Sequence, residues 1–315
     1  MSFGEIAYKR FKSLLLPYVT TWLIIILLEI IILFYTTLTT AYHATGDLIF
    51  SITHGMNASY PFILKAGLPL LLSVCYGTGQ DMTMMGVVIY TSGILWFLVS
   101  LFSAIIIFYF FLKLFHKYSI AIQSIIIILL TVAGYMIGRY VFFLPWSIDI
   151  SLVAQIFMFS GYLMRKYMIF EKKAPIWFFV AAAGIWLLDL YMGAIDMNAR
   201  MYNNLAVSTI GAIAASFLLM KLSCFLSNSA PFYYRAISYI GRQSLVILCF
   251  HTINILFCPP MSSYFALGCL NQNYCWIILT GFRLSYSLLI AETIKRLPIM
   301  KSIYYPKALR TIDGL

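Results

Sequence analysis

Long apolar runs alternate with short polar segments along almost the whole chain. The runs, bounded by charged or turn-forming residues, are Leu15–Tyr35, Val87–Leu112, Ile120–Phe143, Leu152–Tyr167, Ile176–Tyr191, Leu205–Phe225, Ile237–Phe257 and Trp276–Ile294. Each is close to the roughly 20 residues that a helix needs to cross a bilayer. Only helices and closed barrels satisfy their own backbone in lipid, and no run alternates like a barrel strand. The pattern predicts an all-α, polytopic integral membrane bundle of about eight transmembrane helices.

Composition narrows the class of protein further. Of the 315 residues, 63% are hydrophobic and only 10% are charged, and the mean hydropathy is +0.93. A soluble domain carries about 25% charged residues, so these values exclude a water-soluble globular protein. The 21 basic residues exceed the 10 acidic ones, but between membrane spans basic residues act as topology signals. We therefore expect membrane lipid, and no nucleic acid, among the partners.

The distribution of basic residues predicts which side of the membrane each loop faces. If the N-terminus is cytoplasmic, 17 of the 21 Lys and Arg residues fall in cytoplasmic segments, and the exceptions are Lys65, Arg139, Arg200 and Arg283. This imbalance follows the positive-inside rule, so both termini are predicted to be cytoplasmic. No repeat, low-complexity tract or linker interrupts the chain, which indicates a single domain over residues 1–315.

Two features of the predicted outer loops leave alternatives open. The segment Phe62–Val74 is apolar but too short to cross, and it is either a re-entrant piece lining a cavity or an amphipathic surface segment. Cys258, Cys269 and Cys275 fall close together, and either one disulfide or unpaired thiols fit the pattern. None of the six cysteines lies at metal-ligand spacing, so no metal site is expected.

Among the ionisable residues inside predicted spans, where charge is costly and commonly functional, three are candidates for a role: His251, Glu29 and Arg283. His251 lies deep in its run and is either a polar site at mid-membrane or a neutral imidazole bonded to a neighbouring helix. Glu29 and Arg283 lie among apolar residues in the first and last runs. We expect these two to pair and so to join the two helices, which is a structural role.

Charged residues at the outer end of the third run suggest an interfacial belt. Arg139 and Asp149 flank a loop that contains Pro145 and Trp146. Aromatic side chains anchor membrane proteins at the interface. We therefore expect both charges to be solvated beside an aromatic anchor.

A basic cluster precedes the first run. Lys9, Arg10 and Lys12 fall within four residues. They either fix the orientation of the first helix or bind the phosphates of a ligand such as a nucleotide-containing coenzyme.

Four stretches carry a likeness to a known family. They are Lys9–Tyr18 (KRFKSLLLPY), Gly93–Phe102 with its Trp96, Leu144–Ile150 (LPWSIDI) continuing to Tyr162, and Ile240–Leu245 (IGRQSL) ending at His251. Together and in this order they resemble the membrane acyltransferase 3 family, in particular its fucose 4-O-acetylase-like branch. The resemblance runs over nearly the whole chain.

The resemblance implies a multi-pass enzyme of the bacterial cytoplasmic (inner) membrane. Such an enzyme moves an acyl group, usually acetyl, from cytoplasmic acyl-CoA to a hydroxyl of a cell-surface sugar or glycan, without a metal. Lys9, Arg10 and Lys12 match the family's basic pair and would contact the phosphates of the donor. Positions that match family motifs and would shape the acyl passage or the bundle are Trp96, Arg242, Ser244 and His251.

The sequence also departs from the family. Members begin with two further helices, the first carrying an arginine followed by the histidine regarded as catalytic, and this chain starts at what resembles the third helix. No residue here inherits that role, because His251 belongs to a different motif. A positioned base is worth about 10²–10⁴-fold in rate, so we expect poor catalysis from the chain as given. Three explanations stay open: the start of the gene is assigned too late, the chain is a degenerate paralogue, or a second polypeptide supplies the missing helices.

Two other classes of function remain as alternatives. A transporter or flippase of a glycan or lipid-linked intermediate would use Glu29, His251 and Arg283 as an intramembrane polar pathway. A non-catalytic membrane partner would scaffold other enzymes.

Overall fold

The computed structural model describes residues 2–45, 69–84, 86–172, 174–193, 195–202, 204–229, 231–257 and 272–306. The chain forms two compact units. The first unit comprises Met1–Val99 and Gln243–Leu315, and the second comprises Ser100–Arg242. The interpretation of the chain as a single domain stays a prediction.

The first unit begins with one long helical run. Its helices and strands are α1 (Phe3–Arg10), a π-helical turn (Phe11–Leu15), α2 (Leu16–Thr45), a helix over the described residues 69–76 (α3), the antiparallel strands β1 (Met82–Met84) and β2 (Val87–Ile89), a 3₁₀ turn (Gly93–Leu95), the start of α4 (Trp96–Phe115), α11 (Ser244–Phe257), α12 (Gln272–Arg296) and α13 (Pro298–Tyr304). Ser2 and Glu5 form a capping box at the start of α1.

The π-helical turn lies directly before a proline. Pro17 carries no backbone N–H, so the carbonyl of Ser13 has no α-helical donor four residues ahead. One residue before the proline, the N–H of Leu16 donates to the carbonyl of Phe11, five residues back, which forms the wide turn. The helix thereby continues through a proline with one wide turn.

Three hydroxyl groups hold the start of α2 in the first unit. The Tyr18 hydroxyl donates to the carbonyl of Val74 at 2.8 Å, and the Tyr304 hydroxyl lies 2.9 Å from Thr21 Oγ1. Thr21 also donates to the carbonyl of Pro17 at 2.7 Å. Because Tyr18 and Tyr304 are both almost fully buried, these bonds fix α3 and α13 against α2.

The second unit is mainly helical in its described residues. After the remainder of α4 it contains α5 (Ile120–Tyr140), a 3₁₀ turn (Pro145–Ser147), α6 (Ile148–Val153), α7 (Gln155–Lys166), α8 (Ile176–Met192), α9 (Leu205–Ser229) and α10 (Pro231–Arg242). In its described residues, the connection between α8 and α9 contains one β-bridge, between Asp196 and Met201. Phe111, Ile127 and Phe159 form a buried apolar cluster between α4, α5 and α7, while α8 packs against α9.

Membrane-crossing helices agree with the predicted class of fold. Among the described residues, five helical runs are long and apolar enough to cross: Phe3–Thr45, Gly93–Phe115, Ile120–Tyr140, Leu205–Ser229 and Ile277–Arg296. The number rises to seven if α6 with α7, and α10 with α11, each count as one bent span. The remaining predicted run corresponds to α8, which has only 17 residues. A total of eight spans and the cytoplasmic placement of the termini stay predictions.

Several predicted boundaries were wrong. The run Val87–Leu112 begins as strand β2, and its helix starts only after the 3₁₀ turn. The run Leu152–Tyr167 is broken at Ala154 with a bend of 51°, and the run Ile237–Phe257 is interrupted at Gln243. Hydropathy records how apolar a segment is and not its conformation, so it joins elements of different shape.

Parts of two loop hypotheses fall beyond the described residues. Of Phe62–Val74, only residues 69–74 are described, and they are helical. Cys258, Cys269 and the side chain of Cys275 lie outside the described part of the chain, so the disulfide hypothesis stays open.

Close packing of α8 on α9 depends on one glycine. A Cβ at Gly211 of α9 would lie 2.5 Å from Cβ of Asp189 on α8. A Cβ at Gly184 of α8 would meet no atom within 4 Å. The two helices therefore approach each other at a point where only a hydrogen fits.

We expect Gly211→Ala to lower the free energy of unfolding by about 1–3 kcal/mol, because the added methyl forces α8 and α9 apart. Gly184→Ala is the matched control and should leave stability unchanged or slightly raised, since alanine favours helix. Thermal unfolding in detergent measures both. Equal melting temperatures for the two variants would contradict the packing argument.

Candidate functional site

The predicted basic cluster lies at the start of the first unit. Lys9 and Arg10 end α1, and Lys12 lies in the π-helical turn, all three half-buried. Lys12 Nζ lies 4.5 Å above the centre of the Tyr8 ring. Glu5, the nearest acid along the chain, accepts from the backbone of Ser2.

The cluster has no carboxylate partner among the described residues. Within that part of the chain, the ion pairs are Arg200 with Asp149 and Lys295 with Glu292. Three neighbouring cations with no carboxylate partner in the described part of the chain repel one another and favour an anionic ligand.

A cavity of about 350 Å³ lies further along α2, inside the first unit. Lys12 precedes Trp22, the first cavity residue, by roughly 15 Å of helix axis. The lining residues come from α2, α3, the segment before α4, and α11; they are Trp22, Ile25, Glu29, Leu70, Tyr90, Thr91, Ser92, Gly93, Thr252 and Leu256. They combine one carboxylate, four hydroxyls and a buried indole with aliphatic walls, and the volume is that of a small-molecule site.

Hydrogen bonds fix the cavity wall before α4. The backbone N–H of Thr91 donates to Asp81 Oδ1 at 2.6 Å, and the N–H of Tyr90 donates to Ser73 Oγ at 2.8 Å. The N–H of Ser92 donates to the carbonyl of Thr78 at 2.7 Å. The hairpin β1–β2 thus returns the chain to α3 and presents three consecutive polar residues to the cavity. From hydropathy alone, residues 90–92 were predicted to belong to the membrane-crossing run Val87–Leu112.

The expected pairing of Glu29 with Arg283 was wrong. Glu29 lines the cavity, whereas Arg283 Nε is buried without a hydrogen-bond partner in the described residues. Arg283 lies on α12 and His251 lies on α11, two helices that pack together. Neither His251 nor Arg283 lines the cavity, so the three residues of the hypothetical transport pathway do not share one described cavity.

In the motif around residues 240–251, the buried polar residue is Gln243 and not one of the residues predicted from the sequence. Arg242 and Ser244 are exposed and His251 is half-buried. Gln243 between them is 5% exposed and accepts a hydrogen bond from the Tyr305 hydroxyl. Trp96, the motif residue at the start of α4, is half-buried with its ring edge-on to Phe97.

A buried ion pair organises one end of the second unit. Arg200 Nε donates to Asp149 Oδ2 at 2.9 Å, and the side chains are 2% and 1% exposed. The prediction that Asp149 is solvated was therefore wrong, whereas Arg139 is exposed as expected. The Arg200 guanidinium also lies 4.1 Å above the ring of Phe143 and donates to the carbonyl of Asn198.

Glycines and a left-handed turn make room for this pair. A Cβ at Gly138 of α5 would lie 2.7 Å from Asp149 Oδ2, so only glycine admits the carboxylate there. Trp146 and Ser147 adopt positive φ values of 57° and 48°, which turn the chain into α6. Pro145 and Trp146 are exposed, as an interfacial anchor requires, and the Trp146 ring contacts Phe102.

Tyr202 completes the surroundings of the ion pair. Burial raises the pKa of its phenol well above the usual range, and the nearby Asp149 carboxylate raises it further. The phenol is therefore neutral across physiological pH. Nothing in the sequence indicated that Tyr202 or Arg200 would lie beside Asp149, because both lie in a loop 50 residues or more from Asp149 along the chain.

Polar side chains also link α4 to α6 and α7 within the second unit. Ser151 Oγ donates to the carbonyl of Ser100 at 2.9 Å, and Gln155 Nε2 donates to the carbonyl of Ala104 at 3.2 Å. Both side chains are fully buried. Ser151 and Gln155 are four residues apart, so they lie on the same side of the chain in adjacent helical turns. This spacing of two polar residues within an apolar run was the sequence signal that could have indicated a contact with another helix.

Comparison with known proteins assigns the family. The sequence profile of the family described as an acyltransferase domain, acyltransferase 3, matches residues 1–291. The chain belongs to the acyltransferase 3 family. No curated protein and no solved structure matches the chain.

Membership of the acyltransferase 3 family connects the described sites with acyl transfer. The match covers both units, and therefore the basic cluster, the cavity and the buried ion pair of this acyltransferase 3 chain. The acyltransferase class and the membrane setting, expected from the four motifs, are confirmed at this level.

We expect Asp149→Asn to destabilise this acyltransferase 3 chain by about 3–5 kcal/mol, because it leaves the Arg200 charge buried without a counter-ion. Replacing both residues by apolar ones, Asp149→Leu with Arg200→Met, should cost less than that single change. Unfolding in detergent, followed by melting temperature, measures the difference.

The exposed pair of Glu292 and Lys295 provides the control. Its side chains are 49% and 30% exposed, so Glu292→Gln should change stability by less than about 1 kcal/mol. A loss at Glu292 as large as that at Asp149 would show that the ion pair in the second unit has no special structural role.

Proposed function

We propose that this protein is a membrane O-acyltransferase that moves an acyl group, usually acetyl, from acyl-CoA to a hydroxyl of a cell-surface sugar or glycan. The observation that carries the proposal is the family match over residues 1–291. The four ordered motifs further favour the fucose 4-O-acetylase-like branch and a bacterial cytoplasmic membrane. The basic cluster and the cavity of the first unit supply chemistry suited to the donor and the acceptor.

The basic cluster suits the phosphates of the donor. Lys9, Arg10 and Lys12 have no carboxylate partner among the described residues, so a phosphate does not have to displace a protein anion. Arginine offers a planar fork for two oxygens, while the two lysines act as point charges. On the predicted topology, this surface faces the cytoplasm, where acyl-CoA is available.

The cavity suits a sugar acceptor. Sugars present apolar faces and many hydroxyls, and the cavity offers the Trp22 indole for stacking together with the Glu29 carboxylate and four hydroxyl groups for hydrogen bonds. A carboxylate accepts strong, charge-assisted hydrogen bonds from hydroxyls. Glu29 would thereby orient the acceptor.

The reaction requires one proton transfer and one exchange of bonds. The sugar oxygen bonds to the thioester carbonyl carbon, the carbon–sulfur bond breaks, and the coenzyme leaves as a thiol. A general base accelerates such an attack by about 10²–10⁴-fold. The motifs assign the family's histidine base to no residue of this sequence, and His251 is not proposed for that role.

A transfer assay in native membranes tests the function. Membranes from cells that express the protein at its own locus retain any partner polypeptide. With acetyl-CoA labelled in the acetyl group, we expect label in glycan as a base-labile ester, and no such label after deletion of the gene. Label in glycan that is independent of the gene would refute the proposal.

Neutralising the basic cluster should weaken donor binding. We expect Lys9→Gln, Arg10→Gln and Lys12→Gln together to reduce coenzyme A affinity by at least about tenfold, as loss of charged hydrogen bonds predicts. Calorimetric titration of the purified protein measures this. Lys113→Gln with Lys117→Gln removes two exposed cations elsewhere and should leave the affinity unchanged; equal losses in both variants would indicate a general charge effect.

Changes in the cavity should act on the acceptor. We expect Trp22→Ala and Glu29→Gln each to lower kcat/KM for the acceptor by about ten- to hundredfold, because each removes a binding group worth about 1.5–3 kcal/mol. Donor affinity should not change. Leu23→Ala, at a neighbouring position of α2 that is 61% exposed, is the control, and an equal effect there would exclude the cavity as the acceptor site.

The transporter hypothesis predicts a different result. Proteoliposomes would then take up labelled glycan without any coenzyme. Glu29 lines the cavity but His251 and Arg283 do not, so no described polar pathway favours this second function over acyl transfer.

A further inference from the structure

We propose that α10 (Pro231–Arg242) is an interfacial helix that lies in the membrane surface and binds anionic phospholipid headgroups through Arg235 and Arg242. The partner is the bilayer in which the protein sits. The proposal rests on the residue pattern of α10, on its exposed apolar face and on the two apolar helices that flank it in sequence.

The residues of α10 divide sharply between two faces. At 100° per residue, Phe232, Tyr233, Ala236, Ile237 and Ile240 fall within one arc of about 140°. On the opposite side, the polar face comprises Arg235, Ser238 and Arg242. A strongly amphipathic helix with aromatic and aliphatic residues on one face and basic residues on the other is typical of the membrane interface.

Most of the apolar face of α10 is exposed in the described part of the chain, and Ile240 near its end is half-buried. Phe232 is 74% exposed and Ile237 is 58% exposed. In water such a face would be a substantial cost. The acyl-chain boundary of a bilayer removes that cost, because an interfacial helix buries its apolar face about 5–10 Å deep.

Chain connectivity confines α10 to a membrane surface. α9 contains 25 residues and is a candidate span, with a length of about 37 Å against about 30 Å of hydrocarbon. Only Ala230 separates α9 from α10. The start of α10 therefore lies where α9 leaves the hydrocarbon, and its 12 residues have no linker with which to move away.

The alternative is that α10 is the first half of a bent span with α11, as the length and composition of the pair allow. In that case Arg235 and Arg242, both exposed, would be carried into the hydrocarbon at high cost. At the interface the same two side chains reach phosphate level. The pattern therefore favours a helix in the plane of the surface.

The two arginines on the polar face of α10 favour anionic phospholipids. Arg235 and Arg242 are separated by seven residues and share one face. A lipid phosphate accepts bidentate hydrogen bonds from arginine, and anionic headgroups add a net negative charge.

Cysteine labelling of the full chain in vesicles tests the orientation. The variants Ile237→Cys and Ser238→Cys are reacted with a membrane-impermeant maleimide, and peptide mass spectrometry reports each introduced thiol separately from the native cysteines. Without a bilayer, Ile237 is the more exposed of the two positions. We expect the bilayer to reverse this order, so that the Ser238→Cys variant reacts at least about tenfold faster than the Ile237→Cys variant.

Two outcomes of the labelling would overturn the proposal. Faster reaction of the Ile237→Cys variant would place the apolar face of α10 in water or against a soluble partner. Protection of both introduced thiols would make α10 part of a membrane span.

Lipid selectivity tests the headgroup contact. The protein is reconstituted with phosphatidylcholine and phosphatidylglycerol, and native mass spectrometry measures which lipid stays bound. We expect Arg235→Gln with Arg242→Gln to reduce the preference for phosphatidylglycerol by about ten- to thirtyfold.

The control is the conservative double variant Arg235→Lys with Arg242→Lys, which should retain most of the preference for phosphatidylglycerol. Its retention would show that the loss in the glutamine variant comes from the missing charges and not from misfolding. Inorganic phosphate added in excess should not displace the lipid. An unchanged preference in the glutamine variant, or displacement by phosphate, would overturn the lipid assignment.

Discussion

The structure depends on one constraint, which is that a polar group inside an apolar helix is stabilised by a partner within the protein; Arg283 Nε is among the described exceptions. Hydroxyl side chains meet it by donating to a carbonyl one turn back, as Thr21 does to Pro17 and Thr252 to Leu248. Where two helices meet, the same groups bridge them, as Ser151 does with Ser100. The charges of Asp149 and Arg200 meet the constraint by neutralising each other. Helix packing in lipid relies on such contacts, because apolar burial gives no driving force there.

The helices could be predicted from the sequence because hydrophobic length alone defines a membrane-crossing segment. Their interruptions could not. The breaks at Ala154 and Gln243 involve residues that do not exclude a helix, and strand β2 is as apolar as the helix that follows it. At Gln243 the side chain also bonds to Tyr305, a partner 62 residues away that the local sequence does not reveal.

The candidate site was predictable to a different degree in its two parts. The basic cluster is contiguous in sequence, so its location followed from the spacing of Lys9, Arg10 and Lys12. The cavity is not contiguous: only Glu29 among its lining residues was singled out, and its expected partner Arg283 lies elsewhere. The salt bridge to Asp149 came from Arg200, which looked like an ordinary loop cation. Long-range pairing of this kind leaves no periodic trace in one sequence.

The wide turn at Phe11–Leu15 has a consequence for how this chain can vary. A π-helical turn holds one more residue than an α-helical turn, so it is equivalent to a single-residue insertion that the helix has absorbed. Removing that residue would let the turn close into a regular α-helical turn, so the helix on either side would keep its azimuth. A single-residue deletion between the wide turn and Trp22 would have no such turn to remove, and it would rotate α1 by about 100° relative to the indole and the carboxylate of α2. The wide turn thus marks a position where the length of this chain can change without redirecting either binding surface.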